Sequence, residues 1–169
     1  MPSPEDALAQ LKAFEDHYGY PVDWMRALLA SSPRAFEALN AVHPAAQHRE
    51  RLAAPDYWVA KLAAVKVEDC GDCLQLNARL ALEAGVPRAV VRAAVFDEAL
   101  PDELEDVRAY AVAVAEHTDA PEDVEARVTA RLDGGQLLEL GLCIATGKLY
   151  PTIKRAAGYT RSCRLIEGI

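Results

Sequence analysis

The chain has 169 residues, 51% of them apolar, with 18 Lys and Arg against 26 Asp and Glu for a net charge of -8. That length suits one domain with a full buried core, and the abundance of Ala favours closely packed helices over sheets. An acidic surface repels phosphate backbones, which argues against nucleic acid and anionic membranes as partners, and no apolar run approaches the roughly 20 residues that span a bilayer.

Helix signals follow one another along the chain. Ser3-Pro4-Glu5-Asp6 is an N-cap, a proline at the first helical position and then acids that suit the helix dipole. This predicts a first helix to about Asp16. Gly19-Tyr20-Pro21 breaks it, and a second helix is expected over Val22 to Ala30. Ser32-Pro33 restarts the chain in the same manner, to about His43, with a short helical piece after Pro44. Pro55 opens a helix to about Val67. Asp69 to Ala84 follows, with Gly85 as its C-cap. Further helices are predicted from Pro87 to Phe96, Pro101 to Glu116 and Pro121 to Leu132. Gly134-Gly135 separates the last of these from the most apolar helix, Gln136 to Ala157, which Pro151 should kink. The tail from Gly158 to Ile169 reads as irregular. No strand pair is evident, so the expected fold class is all-α, one helical unit over residues 1–169. The stripe Val107, Tyr110, Ala111 and Val114 could be buried inside or against a partner.

The N-terminus, MPSPEDALAQL, lacks the basic region and apolar core of a signal peptide, so a cytoplasmic location is expected. Four cysteines in such a chain are not a disulfide framework. A CxxC there points to redox chemistry or to a metal. Cys70, Cys73 and Asn77 share one helical face. Two cysteines three apart can reach disulfide distance at a helix start. The partial positive charge and free N–H groups at that end stabilise a thiolate, the nucleophile towards peroxides and disulfides. Glu68, Asp69 and Asp72 oppose this, since like charge raises a thiol pKa, unless solvent screens them. The other reading is a pair of small buried apolar side chains. A zinc site needs three or four ligands, and no second CxxC or HxxxH accompanies this one, so neither metal nor cofactor is expected. Cys143 reads as core and Cys163 as structural. Glu68 is a candidate proton acceptor or a solvated cap. Gln75 points away from the cysteine face. His43 and His48 are candidates to fold back onto the site, whereas His17 and His117 read as helix-end residues. Tyr150, Lys154 and Arg155 form a candidate polar patch, or a solvated helix end.

The stretch EDCGDCLQLNARLALEAGVP resembles the CxxC helix of the carboxymuconolactone decarboxylase superfamily, on its alkylhydroperoxidase D-like branch. LGLCIATGKLYPTIKRAAGY and VDWMRALLASSPRAFEALN are similar to that family's later apolar helix and its N-terminal helices. The resemblance implies an all-helical single-domain bundle that assembles as a dimer, trimer or hexamer. It implies a thiol peroxidase or disulfide reductase, with a peroxide or disulfide substrate and a thiol electron donor. Carried over, Cys73 is the peroxidatic thiol and Cys70 the resolving one. Two departures stand out. The family pattern has a His four residues after the second Cys, where this chain has Asn77, and a Glu twelve residues before the first, where it has Trp58. Asn cannot accept a proton at neutral pH, so the usual proton relay is absent. Cys70-Gly71-Asp72-Cys73-Leu74-Gln75-Leu76 matches a CGxCxQL form of the helix that occurs within the superfamily. The decarboxylase branch lacks the CxxC. A decarboxylase-like or other non-redox small-molecule enzyme, and a non-catalytic protein that kept the fold, remain the alternatives.

Overall fold

A computed structural model describes residues 3–159 and 168–169, and within them the chain forms nine α-helices and no strand. These are α1 (Pro4–Tyr18), α2 (Asp23–Ser31), α3 (Pro33–Gln47), α4 (Ala54–Val67), α5 (Gly71–Glu83), α6 (Arg88–Phe96), α7 (Asp102–Glu116), α8 (Glu122–Arg131) and α9 (Gly134–Ala156). The proline-led starts are where the predicted signals put them. Ser3 and Asp6 form a reciprocal capping box on α1, and the Ser32 hydroxyl accepts from Ala35 N–H at the head of α3. Gly85 takes φ 82° behind α5, and Val86 N–H closes back onto the Ala81 carbonyl at 3.1 Å.

Two boundaries differ from expectation. α3 does not stop at His43 but runs through Pro44 to Gln47. Proline removes one N–H but leaves the rest of the last turn able to form. Gly134 and Gly135 do not precede α9 but form its first turn, because Asp133 and Gln136 make a capping box ahead of the helix proper. The expected irregular tail and Cys163 fall, over residues 160–167, outside the described residues.

α4 is the central helix, buried on nearly every side by α5, α6, α7 and α9. Its run of Val59, Ala60, Leu62, Ala63 and Ala64 lies at the centre of the main core. Small residues let neighbours come close: a Cβ on Gly147 of α9 would stand 3.1 Å from the Ala64 Cβ. The α7 stripe is divided: Val107 and Ala111 are fully buried in that core, Tyr110 is half-buried against it, and Val114 is exposed. A second, smaller core joins α1, α2 and α3 to the end of α4. It contains Leu11, Tyr20, Val22, Leu29, Phe36 and Val65, and it contains both Cys70 and Cys73. The CxxC therefore lies where the N-terminal helices meet the rest of the bundle.

Candidate functional site

The link from α4 to α5 is three residues long. Asp69 takes φ 47° in it, a left-handed conformation that a short acidic side chain tolerates better than most. This reversal delivers Cys70 as the extended N-cap of α5, with Cys73 one turn in. Their Cα atoms are 5.3 Å apart and the two sulfurs pair as a disulfide. Leu74 N–H makes the first bond of the helix, to the Cys70 carbonyl at 2.9 Å. The amides of Gly71, Asp72 and Cys73 precede it and have no acceptor within α5. They place the positive end of the helix dipole at the sulfurs.

Both cysteines are only 3% exposed. The α1–α2 turn covers them, with the Tyr20 hydroxyl 3.6 Å from Cys73 Sγ. From the other side α9 contributes Lys154, 1% exposed, whose Nζ lies 3.4 Å from Asp72 Oδ2 and 4.8 Å from the centre of the Tyr20 ring. Tyr150 of α9 stacks edge-on against Trp24 of α2, ring centres 6.4 Å apart. Burial pushes the Tyr20 phenol well above its ordinary range, the Trp24 indole N–H beside it pulls the other way, and Asp72 and Tyr150 raise it further. That indole N–H, although close, makes no hydrogen bond of proper geometry and is otherwise unpaired.

The three carboxylates near the sulfurs are not an uncompensated negative cluster. Glu68 lies 3.5 Å from Lys148 Nζ and accepts from Thr152 at 3.3 Å. Its backbone carbonyl accepts from Arg155. Asp72 pairs with Lys154, and Asp69 is exposed. Two of the three are thus matched by lysines of α9, which favours the thiolate side of the balance. Lys154 is no solvated helix end: it is among the most buried residues of the chain. Arg155 is exposed but engaged with Glu68.

Asn77 is half-buried, and its amide donates to the Cys73 backbone carbonyl at 2.8 Å. Trp58, at the position of the family Glu, packs against the main core and edge-on to Tyr57. His43 and His48 are exposed. His17 contacts Glu83 at 3.7 Å, and His117 ends α7. Gln75 is half-buried. Cys143 is core: its thiol donates to the Tyr57 carbonyl at 3.2 Å, and burial pushes it up to about 12. Among the described residues no three of His, Cys, Asp and Glu gather as metal ligands. The α7–α8 hollow, about 770 Å³ and lined by Asp102, Asp106, Arg127 and Arg131, does not reach the cysteines.

Sequence reasoning missed Tyr20, which read only as part of a helix break. Nothing in its spacing signals a contact 53 residues ahead.

No family model matches the chain, and no curated protein sequence matches it. A solved structure does. It is a protein of unknown function from Agrobacterium tumefaciens, provisionally assigned to antioxidant defence as AhpD. The two share 17% identity at a TM-score of 0.66, over 80% of this chain and 96% of that one. The fold of this chain is therefore the all-helical, AhpD-like one.

Proposed function

We propose that the chain is a thiol–disulfide oxidoreductase with weak thiol-dependent peroxidase activity, from the alkylhydroperoxidase D-like branch of the carboxymuconolactone decarboxylase superfamily. Residues 1–169 form one such unit, cytoplasmic and assembled from several copies. The observation that carries this reading is the Cys70–Cys73 pair closed at the head of α5, with the helix amides aimed at it. The likeness of fold supports it.

In the reduced protein the Cys73 thiolate attacks one oxygen of a hydroperoxide. The O–O bond breaks, the alcohol leaves with a proton, and Cys73 becomes a sulfenic acid. The Cys70 sulfur attacks Cys73, the S–S bond forms, and water leaves. A dithiol donor supplies two electrons to reopen the disulfide and departs as its own disulfide. Asn77 takes no part in proton transfer, because its amide holds the Cys73 carbonyl. Glu68 anchors α9 to the turn before Cys70. The covered sulfurs favour small oxidants over bulky ones.

Mild peroxide followed by alkylation and mass spectrometry tests the reading. The peptide holding Cys70 and Cys73 should lose two protons, and a dithiol should restore them. A bridge formed to Cys143 or Cys163 instead would sink it.

A further inference from the structure

None of these steps uses the hydroxyl that faces the Cys73 sulfur. Tyr20 is 3% exposed and stands in the short turn between α1 and α2. That turn is tied down from both sides. Arg79 of α5 donates to the Tyr18 carbonyl at 2.5 Å, and the Tyr18 hydroxyl donates to Glu83 of α5 at 2.9 Å. Arg26 of α2 bridges to Glu15 of α1 at 2.7 Å. Gly19 ends α1 at φ 63°, a left-handed conformation that a side chain would strain. The result is a phenol held 3.6 Å from Cys73 Sγ, its ring under the Lys154 ammonium.

We propose that the Tyr20 hydroxyl is a catalytic hydrogen-bond donor to Cys73, engaging the sulfur when it carries charge. This rests on the thiol–disulfide reading above. A donor thiolate attacks Cys70 Sγ and forms a mixed disulfide. The Cys70–Cys73 bond breaks, and its electron pair leaves on Cys73. Tyr20 O–H donates to that thiolate and keeps its proton. The donor's second thiolate then attacks its own sulfur in the mixed disulfide, closing the donor disulfide and releasing Cys70, which takes a proton from solvent. Two electrons have passed from the dithiol to the protein, and Cys73 is left as a stabilised thiolate. In the oxidising direction the same contact holds the nucleophile ready.

The chemistry of the site supports a donor rather than a base. Burial keeps the phenol protonated through any working pH, so it cannot take a proton from the thiol but always has one to share. Asn77, at the position where the resemblance places a His, is turned to the backbone. Tyr20 approaches from a different helix pair and fills a different role from that missing base. A hydrogen bond to a charged group counts for more than one between neutral partners, and it counts for most where water is excluded.

The test is the titration of Cys73 with Cys70→Ser as background, read by the rate of alkylation of the Cys73 peptide against pH. Tyr20→Phe keeps the ring beneath Lys154 and removes only the hydroxyl. Asp72, Lys154 and Tyr150, the other charged or titratable groups gathered at this site, are common to both proteins. The midpoint should rise by about 1–2 pH units in Tyr20→Phe. An unchanged midpoint in a folded variant overturns the proposal. If Tyr20→Phe does not fold, protein labelled at tyrosine Cζ gives the answer without it. The Tyr20 carbon signal should shift as Cys73 ionises, and a flat signal through that titration overturns the proposal equally. The titration needs no turnover. Failure of Cys70 and Cys73 to cycle would remove the oxidoreductase reading and leave the Tyr20 result standing by itself.

Discussion

Lys154 Nζ and Asp72 Oδ2 face each other across 3.4 Å with both side chains buried. Either charge alone would be expensive in that place, and their mutual attraction offsets much of the lost hydration. Lys154→Met keeps the length of the side chain and removes its charge. It should destabilise the protein by about 3 kcal/mol, read as a lower urea midpoint. Adding Asp72→Asn should recover part of the loss, with a coupling of about 1–3 kcal/mol in the double-mutant cycle. Strict additivity would show that the pair does not act as a unit. The buried place of Lys154 was legible in principle. Leu140, Cys143, Ile144, Gly147, Pro151 and Lys154 recur at helical spacing along the inner face of α9. Position on the face predicts burial here better than residue type does. Its partner was not legible, because Asp72 lies 82 residues away and the two meet through helices that both pack on α4.

At the scale of elements, Glu139 in the N-terminal half of α9 secures a loop rather than a helix end. Its carboxylate accepts from the backbone amides of Glu50, Arg51 and Leu52, at 2.9, 2.9 and 3.2 Å, and so ties the α3–α4 loop to α9. Burial opposes its charge, and the three amides outweigh burial, so its pKa is held below the ordinary 4.5. A depressed pKa contributes stability that is present above the ordinary value and is lost as pH falls through the folded one. Glu139→Gln should therefore cost about 2 kcal/mol at neutral pH, the worth of a charged acceptor over a neutral one. The gap between the two proteins should narrow as the pH is taken from neutral to below that ordinary value. Thermal melts at both ends of that range check this, and a gap that does not change with pH would rule it out. In the sequence Glu139 reads only as an interruption of an apolar helix, since its three donors lie 87 to 89 residues earlier. The helices themselves were readable because their signals are local: Ser3, Ser32 and the prolines act on their own first turns. The misplaced ends at Pro44 and Gly134 are the cases where a single breaker residue was weaker than the hydrogen bonds around it.

For the whole molecule, the outer face of α9 carries Leu138, the most exposed large apolar side chain among the described residues. Leu138 is 79% exposed, Leu142 and Ala145 follow it on the same face, and Leu149 is half-buried beyond them. Of the α7 stripe that offered a rival surface in the sequence, the core takes Val107 and Ala111, and Val114 stays exposed. Apolar residues grouped on one helical face, rather than scattered, mark an association surface. We therefore expect self-association through α9, with light scattering at micromolar concentration giving a multiple of 18.4 kDa. The net charge of -8 repels like copies, so added salt should strengthen the assembly. Leu138→Glu with Leu142→Glu places charge on that face and should return the mass to 18.4 kDa. The inner face of α9, which carries Cys143, Gly147 and Lys154, is untouched by those changes. Helix content and closure of the Cys70–Cys73 disulfide should accordingly survive in the variant. A wild-type mass of 18.4 kDa would refute the assembly. A variant that stays associated would instead move the interface away from α9, to one of the faces where Leu8 or Phe96 is exposed.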